Sequence, residues 1–178
     1  NNPINTLINI CKKLKEKKLD KGNKNFQPSN LEFTRVYVDN KAHNVIPAKA
    51  KAQFNIRYNN YHTSYSLKKK INKIVKDLCK KSKCKYNIEY IINGDSFLTK
   101  PEKTIYMSRR IIKKITKINP KFSTTGGTSD ARFIRKISPC LEFGLVNKTM
   151  HKIDECVSVS DLKKLTNIYK NILIEYFK

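Results

Sequence analysis

From Ala48 to Tyr58 the chain alternates without a break. Ala50, Ala52, Phe54, Ile56 and Tyr58 fall on one side, and Lys49, Lys51, Gln53, Asn55 and Arg57 fall on the other. A strict period of two means a β-strand with one face buried and one face wet. A one-faced strand needs a covering layer, and helical patterns flank this one on both sides. Residues 4–18 place Ile4, Leu7, Ile8, Cys11 and Leu14 at helical spacing, opposite a Lys-rich face. Ser64 or Ser66 is the expected cap of a second helix running to about Lys81, with Leu67, Ile71, Ile74, Val75 and Leu78 as its apolar stripe.

Two further strands complete this first part. Leu31 to Val38 alternates imperfectly through Leu31, Phe33, Val36 and Val38, and Lys41 to Pro47 is a turn. Tyr86 to Ile92 returns as a strand that Asn93-Gly94-Asp95-Ser96-Phe97 closes. The order helix, strand, strand, helix, strand predicts a ferredoxin-like α+β domain over residues 1–97, with its first strand missing.

Residues 98–178 read as the tail of an α/β sandwich whose remainder lies upstream. Pro101 suits the first turn of a helix that continues to about Ile118. A short strand near Phe122, a turn at Gly126-Gly127-Thr128-Ser129-Asp130 and a short helix with Phe133 and Ile134 follow. A buried strand is expected at Cys140 to Gly144. Ser160 is the expected cap of a last helix that turns Leu162, Leu165, Ile168, Ile172 and Leu173 inward.

The formal net charge is +24, a value that ordinarily points to nucleic acid. Only six of the 38 basic residues are Arg, and the Lys are spread along every segment. Phosphate-clamping and base-reading surfaces favour the bidentate guanidinium. Abundant Lys, Asn and Ile instead fit drift toward an A/T-rich coding sequence, so no nucleic-acid partner is expected. No run of about 18 apolar residues occurs and the start shows no cleavage-site pattern, so neither a membrane span nor a secretory signal is expected. The five Cys form no disulfide framework. Reduced thiols in a cytoplasmic protein are the simple reading. The first residue is Asn rather than Met, as in a fragment or a processed product.

The chemistry-bearing residues concentrate between Thr124 and Val159. His151 stands just before Asp154 and Glu155 on a polar loop, where an imidazole can ligate a metal or simply face solvent. With His43 and His62 the only other histidines, further ligands for a catalytic metal would come from outside this chain. The Gly126-Gly127 pair either lets a ligand approach the backbone or serves as a tight connection. Thr128, Ser129 and Asp130 either orient a ligand or cap the next helix. Asn44 has a turn role as its alternative, and Arg57 has plain exposure.

The segments NVIPAKAKAQFNIRY, GDSFLTKP, TGGTSDARFI and LEFGLVNKTMHKIDECVSVSDL, with the closing helix, resemble the co-catalytic zinc aminoacylase and carboxypeptidase-G2-like metallohydrolases. The resemblance runs in order over essentially all 178 residues. It implies that residues 1–97 are most of a lid carrying a homodimer interface. Residues 98–178 would then be the last part of a zinc-peptidase-like α/β catalytic domain that holds two zinc ions, with cobalt able to substitute. The remaining metal ligands and the general-base Glu would lie in a missing N-terminal half, which leaves no catalytic residue in this chain.

Carried over position by position, His151 matches a metal ligand. Asn44 and Arg57 match lid residues that approach the substrate, Asn44 across the dimer. Gly126, Gly127 and Thr128 match the turn lining the substrate pocket, and Asn147 matches a nearby amide. Ala131, and Ala48-Lys49 after Pro47, depart from the family's usual Gly and Gly-Glu. The GGTSD-A-R turn and the N-x-T-x-H-K-x-D-E-C-V-S-V segment resemble the branch that cleaves N-succinyl-LL-2,6-diaminopimelate, a small molecule with several carboxylates. The competing expectation is a non-catalytic, basic ferredoxin-like module that binds RNA or only dimerises. Aromatics stacked on the open face of the sheet would mark it.

Overall fold

The computed structural model of the chain describes residues 1–126, 129–146 and 148–178. It divides into two compact units, Asn1–Phe97 and Leu98–Lys178.

In the first unit, helices α1 (Pro3–Glu16) and α2 (Ser64–Ser82) pack against a two-stranded sheet of β1 (Asn30–Tyr37) and β2 (Lys51–Arg57). Asn2 starts α1 by accepting the Ile4 N–H on Oδ1 at 2.9 Å, with Pro3 in the first turn, where its missing donor costs nothing. The buried line of α1 is Thr6, Ile10 and Leu14. The expected stripe is therefore rotated: Ile8 is exposed and Ile10 is inside. Steps of four residues keep one line of side chains over one helix face.

Helix α2 is capped by Thr63 rather than by Ser64 or Ser66. The Ser66 N–H donates to Thr63 Oγ1 at 3.1 Å, and the Thr63 N–H donates to Ser66 Oγ at 3.0 Å. This reciprocal box satisfies two backbone donors at once. Leu67, Ile71, Val75 and Cys79 descend its buried side and meet Ile10, Leu14 and Leu31.

The strands run antiparallel, with Leu31 opposite Ile56, Phe33 opposite Phe54 and Val36 opposite Ala52. A register shift between Phe33 and Arg35 sets Thr34 aside as an extra residue. This bulge explains the imperfect pattern of β1: one inserted residue keeps Leu31, Phe33 and Val36 on the same face. Phe33 and Phe54 meet edge to face, with centroids 5.6 Å apart. The inner face of β2 is the half-buried series Ala52, Phe54, Ile56 and Tyr58, as the alternation predicts.

Tyr86 to Ile92 does not form the expected strand. Ile88 and Tyr90 pack against the core, while Ile91 is 92% exposed. A strand exists only through ladder hydrogen bonds to a neighbour, and the described residues give this segment none.

A polar knot pins the long connection after α1. Asp20 Oδ1 accepts from the Gly22 N–H at 2.7 Å and from Asn59 Nδ2 at 2.6 Å, and the Ser29 N–H donates to the same carboxylate. His62 Nε2 lies 3.1 Å from Asp20 Oδ2 and both side chains are buried, although the angle is poor for a hydrogen bond. Burial alone would raise the Asp20 pKa. The donors from Ser29, Gly22 and Asn59 outweigh it and bring the carboxyl down to about 2. At the opposite side of the loop after Tyr58, Asp95 Oδ1 accepts from the Tyr58 hydroxyl at 2.7 Å and from the Ser64 N–H at 2.8 Å. Burial and this carboxylate push the Tyr58 phenol well above its ordinary value.

In the second unit α3 (Lys103–Thr116) packs on α5 (Val159–Tyr176), with the four-residue α4 (Ala131–Ile134) between them in sequence. Pro101 lies just ahead of α3, whose N-cap is Glu102. Ile105, Ile111, Ile112 and Ile168 are buried, and Ser108 satisfies its own hydroxyl on Thr104 O at 2.9 Å. The N-cap of α5 is Ser158, not Ser160. Leu162 and Leu173, expected inside, are 48% and 56% exposed.

Neither expected strand forms in this unit. Phe122 instead lies edge-on to Tyr106 with Arg109 over its ring. Leu141 is 43% exposed, and the segment 140–144 is held by the Tyr169 hydroxyl, which donates to Phe143 O, and by the Cys140 thiol, which donates to Ala131 O at 3.6 Å. Among the described residues this unit offers no second strand for either to pair with.

Candidate metal and substrate site

The loop after residue 144 carries the strongest candidate. Thr149 closes it: its hydroxyl donates to Cys156 O at 2.8 Å, and the Cys156 N–H donates back to Thr149 Oγ1 at 3.0 Å. Inside this clasp His151 has φ 63° and Asp154 has φ 59°. Both are in the left-handed region that side chains with a Cβ seldom adopt. The His151 N–H donates to Glu155 Oε2 at 3.3 Å, so the acid holds the histidine's backbone. The His151 side chain is exposed. An exposed imidazole thus stands on a left-handed residue within a pinned loop.

His151 suits a metal as one donor. Catalytic zinc takes three protein ligands, and the described residues hold no group of three His, Cys, Asp or Glu placed to bind an ion. The other donors would have to come from elsewhere.

The turn before α4 is built from small polar residues. Ser129 Oγ accepts the Ala131 N–H at 3.2 Å, so Ser129, rather than Asp130, caps α4. Gly126 is exposed, and a Cβ placed on it would meet nothing within 4 Å. Packing within this chain does not require glycine there. Gly127, Thr128 and Asn147, three of the expected substrate-binding residues, lie outside the described residues.

Asn44 and Arg57 belong to the first unit and are both exposed. Asn44 sits in the β1–β2 connection, which Asn40 Nδ2 closes by donating to Val45 O at 2.7 Å. Arg57 ends β2 on its wet face, opposite Asn30. Asn44 precedes β2 in the connection and Arg57 ends that strand. In the second unit a groove of about 370 Å³ runs past Leu98, Glu102, Arg135 and Ser138, and none of the expected site residues lines it. What sequence reasoning missed is the Asp20, Asn59 and His62 knot. Its only signal was an Asp–x–Gly pair in a polar loop.

The first step of classification comes from unit one. Residues 1–83 match the family model of the M20 peptidase dimerisation domain. The second step covers nearly the whole chain, which is a relative of proteins named succinyl-diaminopimelate desuccinylase. It is 63% identical to that of Pelagibacter ubique (strain HTCC1062) over 99% of this chain and 46% of the relative. It is 48% identical to that of Rickettsia bellii (strain RML369-C) over 98% of this chain and 45% of the relative. For Ehrlichia chaffeensis (strain ATCC CRL-10679 / Arkansas) the identity is 49% over 99% and 45%. The chain therefore spans about half the length of the curated relatives it matches.

Proposed function

We propose that this chain is the C-terminal part of an amidohydrolase that cleaves N-succinyl-LL-2,6-diaminopimelate into succinate and LL-2,6-diaminopimelate for lysine biosynthesis. The observation that carries the reading is 63% identity along 99% of the chain to a protein named for that reaction.

The architecture supports each half of it. In a ferredoxin-like sheet the last strand pairs with the first, while the second and third form a hairpin. The β1–β2 hairpin is formed here and, among the described residues, the 86–92 segment pairs with no strand, in keeping with that topology when its first strand is supplied from elsewhere. Unit one would then be a lid that joins two copies, in keeping with the dimerisation-domain match. The second unit leaves Ile137 85%, Ile153 93% and Phe177 80% exposed. So much uncovered apolar surface suits the tail of a catalytic domain whose other layers lie in the rest of a longer protein.

In that protein His151 would be one ligand of a two-zinc centre, with cobalt able to substitute. Bound zinc supplies Lewis acidity at the scissile carbonyl and an acidified water. The chain's own contribution is positioning. Gly126, Gly127, Thr128 and Asn147 would line the substrate site, and Asn44 and Arg57 would reach carboxylates of the substrate from the lid.

The RNA-binding alternative needs stacking aromatics on the open face of the sheet. Phe54 and Tyr58 pack against the core instead. The test is succinate release from N-succinyl-LL-2,6-diaminopimelate by the longer protein with zinc, beside the 178-residue chain alone. Turnover by the longer protein and none by the chain is expected. A longer protein that binds zinc yet leaves this substrate intact sinks the assignment.

A further inference from the structure

Helix α2 ends in a motif that brings two cysteines together through their backbone. Lys83 takes φ 52°, its N–H donates to Lys80 O at 3.3 Å, and the Cys84 N–H donates to Cys79 O at 3.0 Å. These are the two hydrogen bonds of a Schellman ending, in which the residue two past the helix folds back over the residue three before its end. That contact is ordinarily apolar, but here both positions are free cysteines. Cys79 is buried at the bottom of the α2 stripe and Cys84 is half exposed. Thr6 Oγ1 of α1 stands 3.4 Å from Cys84 Sγ, and Ser82 O lies 3.7 Å away.

We infer that Cys84 and Cys79 form a peroxide-sensitive thiol pair, with Cys84 as the attacking thiol and Cys79 as the resolving one. The Cys84 thiolate attacks one peroxide oxygen. The S–O bond forms, the O–O bond breaks, and the leaving hydroxide takes a proton to become water, which leaves Cys84 as a sulfenic acid. The Cys79 sulfur then attacks Cys84 Sγ. The S–S bond forms, the S–O bond breaks, and the departing hydroxide leaves as a second water with the Cys79 proton. Two thiols and one hydrogen peroxide become one disulfide and two waters, and the two electrons pass from sulfur to peroxide.

The division of roles follows from the surroundings. The Thr6 and Ser82 hydroxyls hold the Cys84 thiol below its ordinary pKa, whereas burial and the neighbouring Cys84 raise that of Cys79. A thiolate at the exposed position meets the oxidant first. In a reducing compartment such a disulfide is transient and small thiols reverse it.

The experiment is a peroxide titration of the folded chain, followed by alkylation of free thiols, digestion and mass spectrometry. A peptide pair joined through Cys79 and Cys84, lighter by two hydrogens and restored by dithiothreitol, is expected before Cys11, Cys140 or Cys156 reacts. Recovery of both thiols free while the exposed Cys156 is oxidised overturns the inference. In a Cys79→Ser variant, checked for native circular dichroism, Cys84 should accumulate as a sulfenic acid captured by dimedone. Capture at Cys79 in Cys84→Ser, with none at Cys84 in Cys79→Ser, would overturn the assigned roles.

Discussion

Asn59 Nδ2 donates to Asp20 Oδ1 at 2.6 Å across 39 residues of sequence, and this bond joins the loop after α1 to the loop before α2. Asn59 also donates to Gln27 O at 3.1 Å and accepts the Tyr61 N–H at 2.9 Å. One amide thus holds both loops, and the carboxylate beneath it takes three donors.

This arrangement fixes an acid limit for unit one. The Asp20 carboxyl is depressed to about 2 in the folded chain. Its stabilisation is therefore complete above the unfolded value near 4 and is lost as pH falls from about 4 to about 2. At about 1.4 kcal/mol per unit, the loss is at most about 2.5 kcal/mol. Urea midpoints measured across that window should fall for the native sequence and stay nearly level for Asp20→Asn, which begins lower at neutral pH. Equal slopes for the two proteins would remove Asp20 as the cause.

Gly22 is required by its backbone. It has φ +74°, and a Cβ would lie 2.7 Å from Phe26 O and 2.8 Å from Pro28 N. Gly22→Ala combines left-handed strain with a clash against backbone, for a loss of roughly 2–4 kcal/mol. The urea midpoint should drop with the slope unchanged. A midpoint within error of the native one would show that the loop has another conformation available.

The legible parts of this fold are those set by one segment at a time. The face of β2 and the stripe of α2 follow from periodicity alone. The caps were displaced by one to three residues because Thr63 and Ser158 compete with neighbouring serines that make equally good acceptors in sequence. The strands at 86–92 and 140–144 were misread because strand character in the side chains does not supply a partner, and pairing is a property of the whole sheet. The knot around Asp20 was invisible for a similar reason: its members are far apart in the chain and only folding unites them. The left-handed backbone at His151 has no signature in the sequence.

Gly126 separates packing from ligand binding. With open space beside its Cβ position and no left-handed φ, Gly126→Ala should leave the unfolding free energy from urea titration within about 0.5 kcal/mol of native or slightly above it. In the longer protein the same change should raise KM for the proposed succinylated substrate severalfold if this turn lines the pocket. Unchanged KM and kcat would take Gly126 out of the proposed site.

His151 offers the sharpest decision, because its backbone and its imidazole can be altered separately. At φ 63° glycine is free of Cβ strain and asparagine tolerates the conformation better than most residues. His151→Gly should therefore preserve or stabilise the loop by up to about 1 kcal/mol while removing the nitrogen donor. His151→Asn keeps a polar side chain of similar reach but is a far poorer zinc ligand. In the longer protein both variants should bind less zinc per subunit and lose most of their turnover while thermal stability of the metal-free form is held or raised. Loss of a structural histidine predicts the reverse pattern, with reduced stability and full metal content. Full zinc content and native turnover in His151→Gly would end the case for ligation, since that variant leaves the clasp of Thr149 and Cys156 untouched.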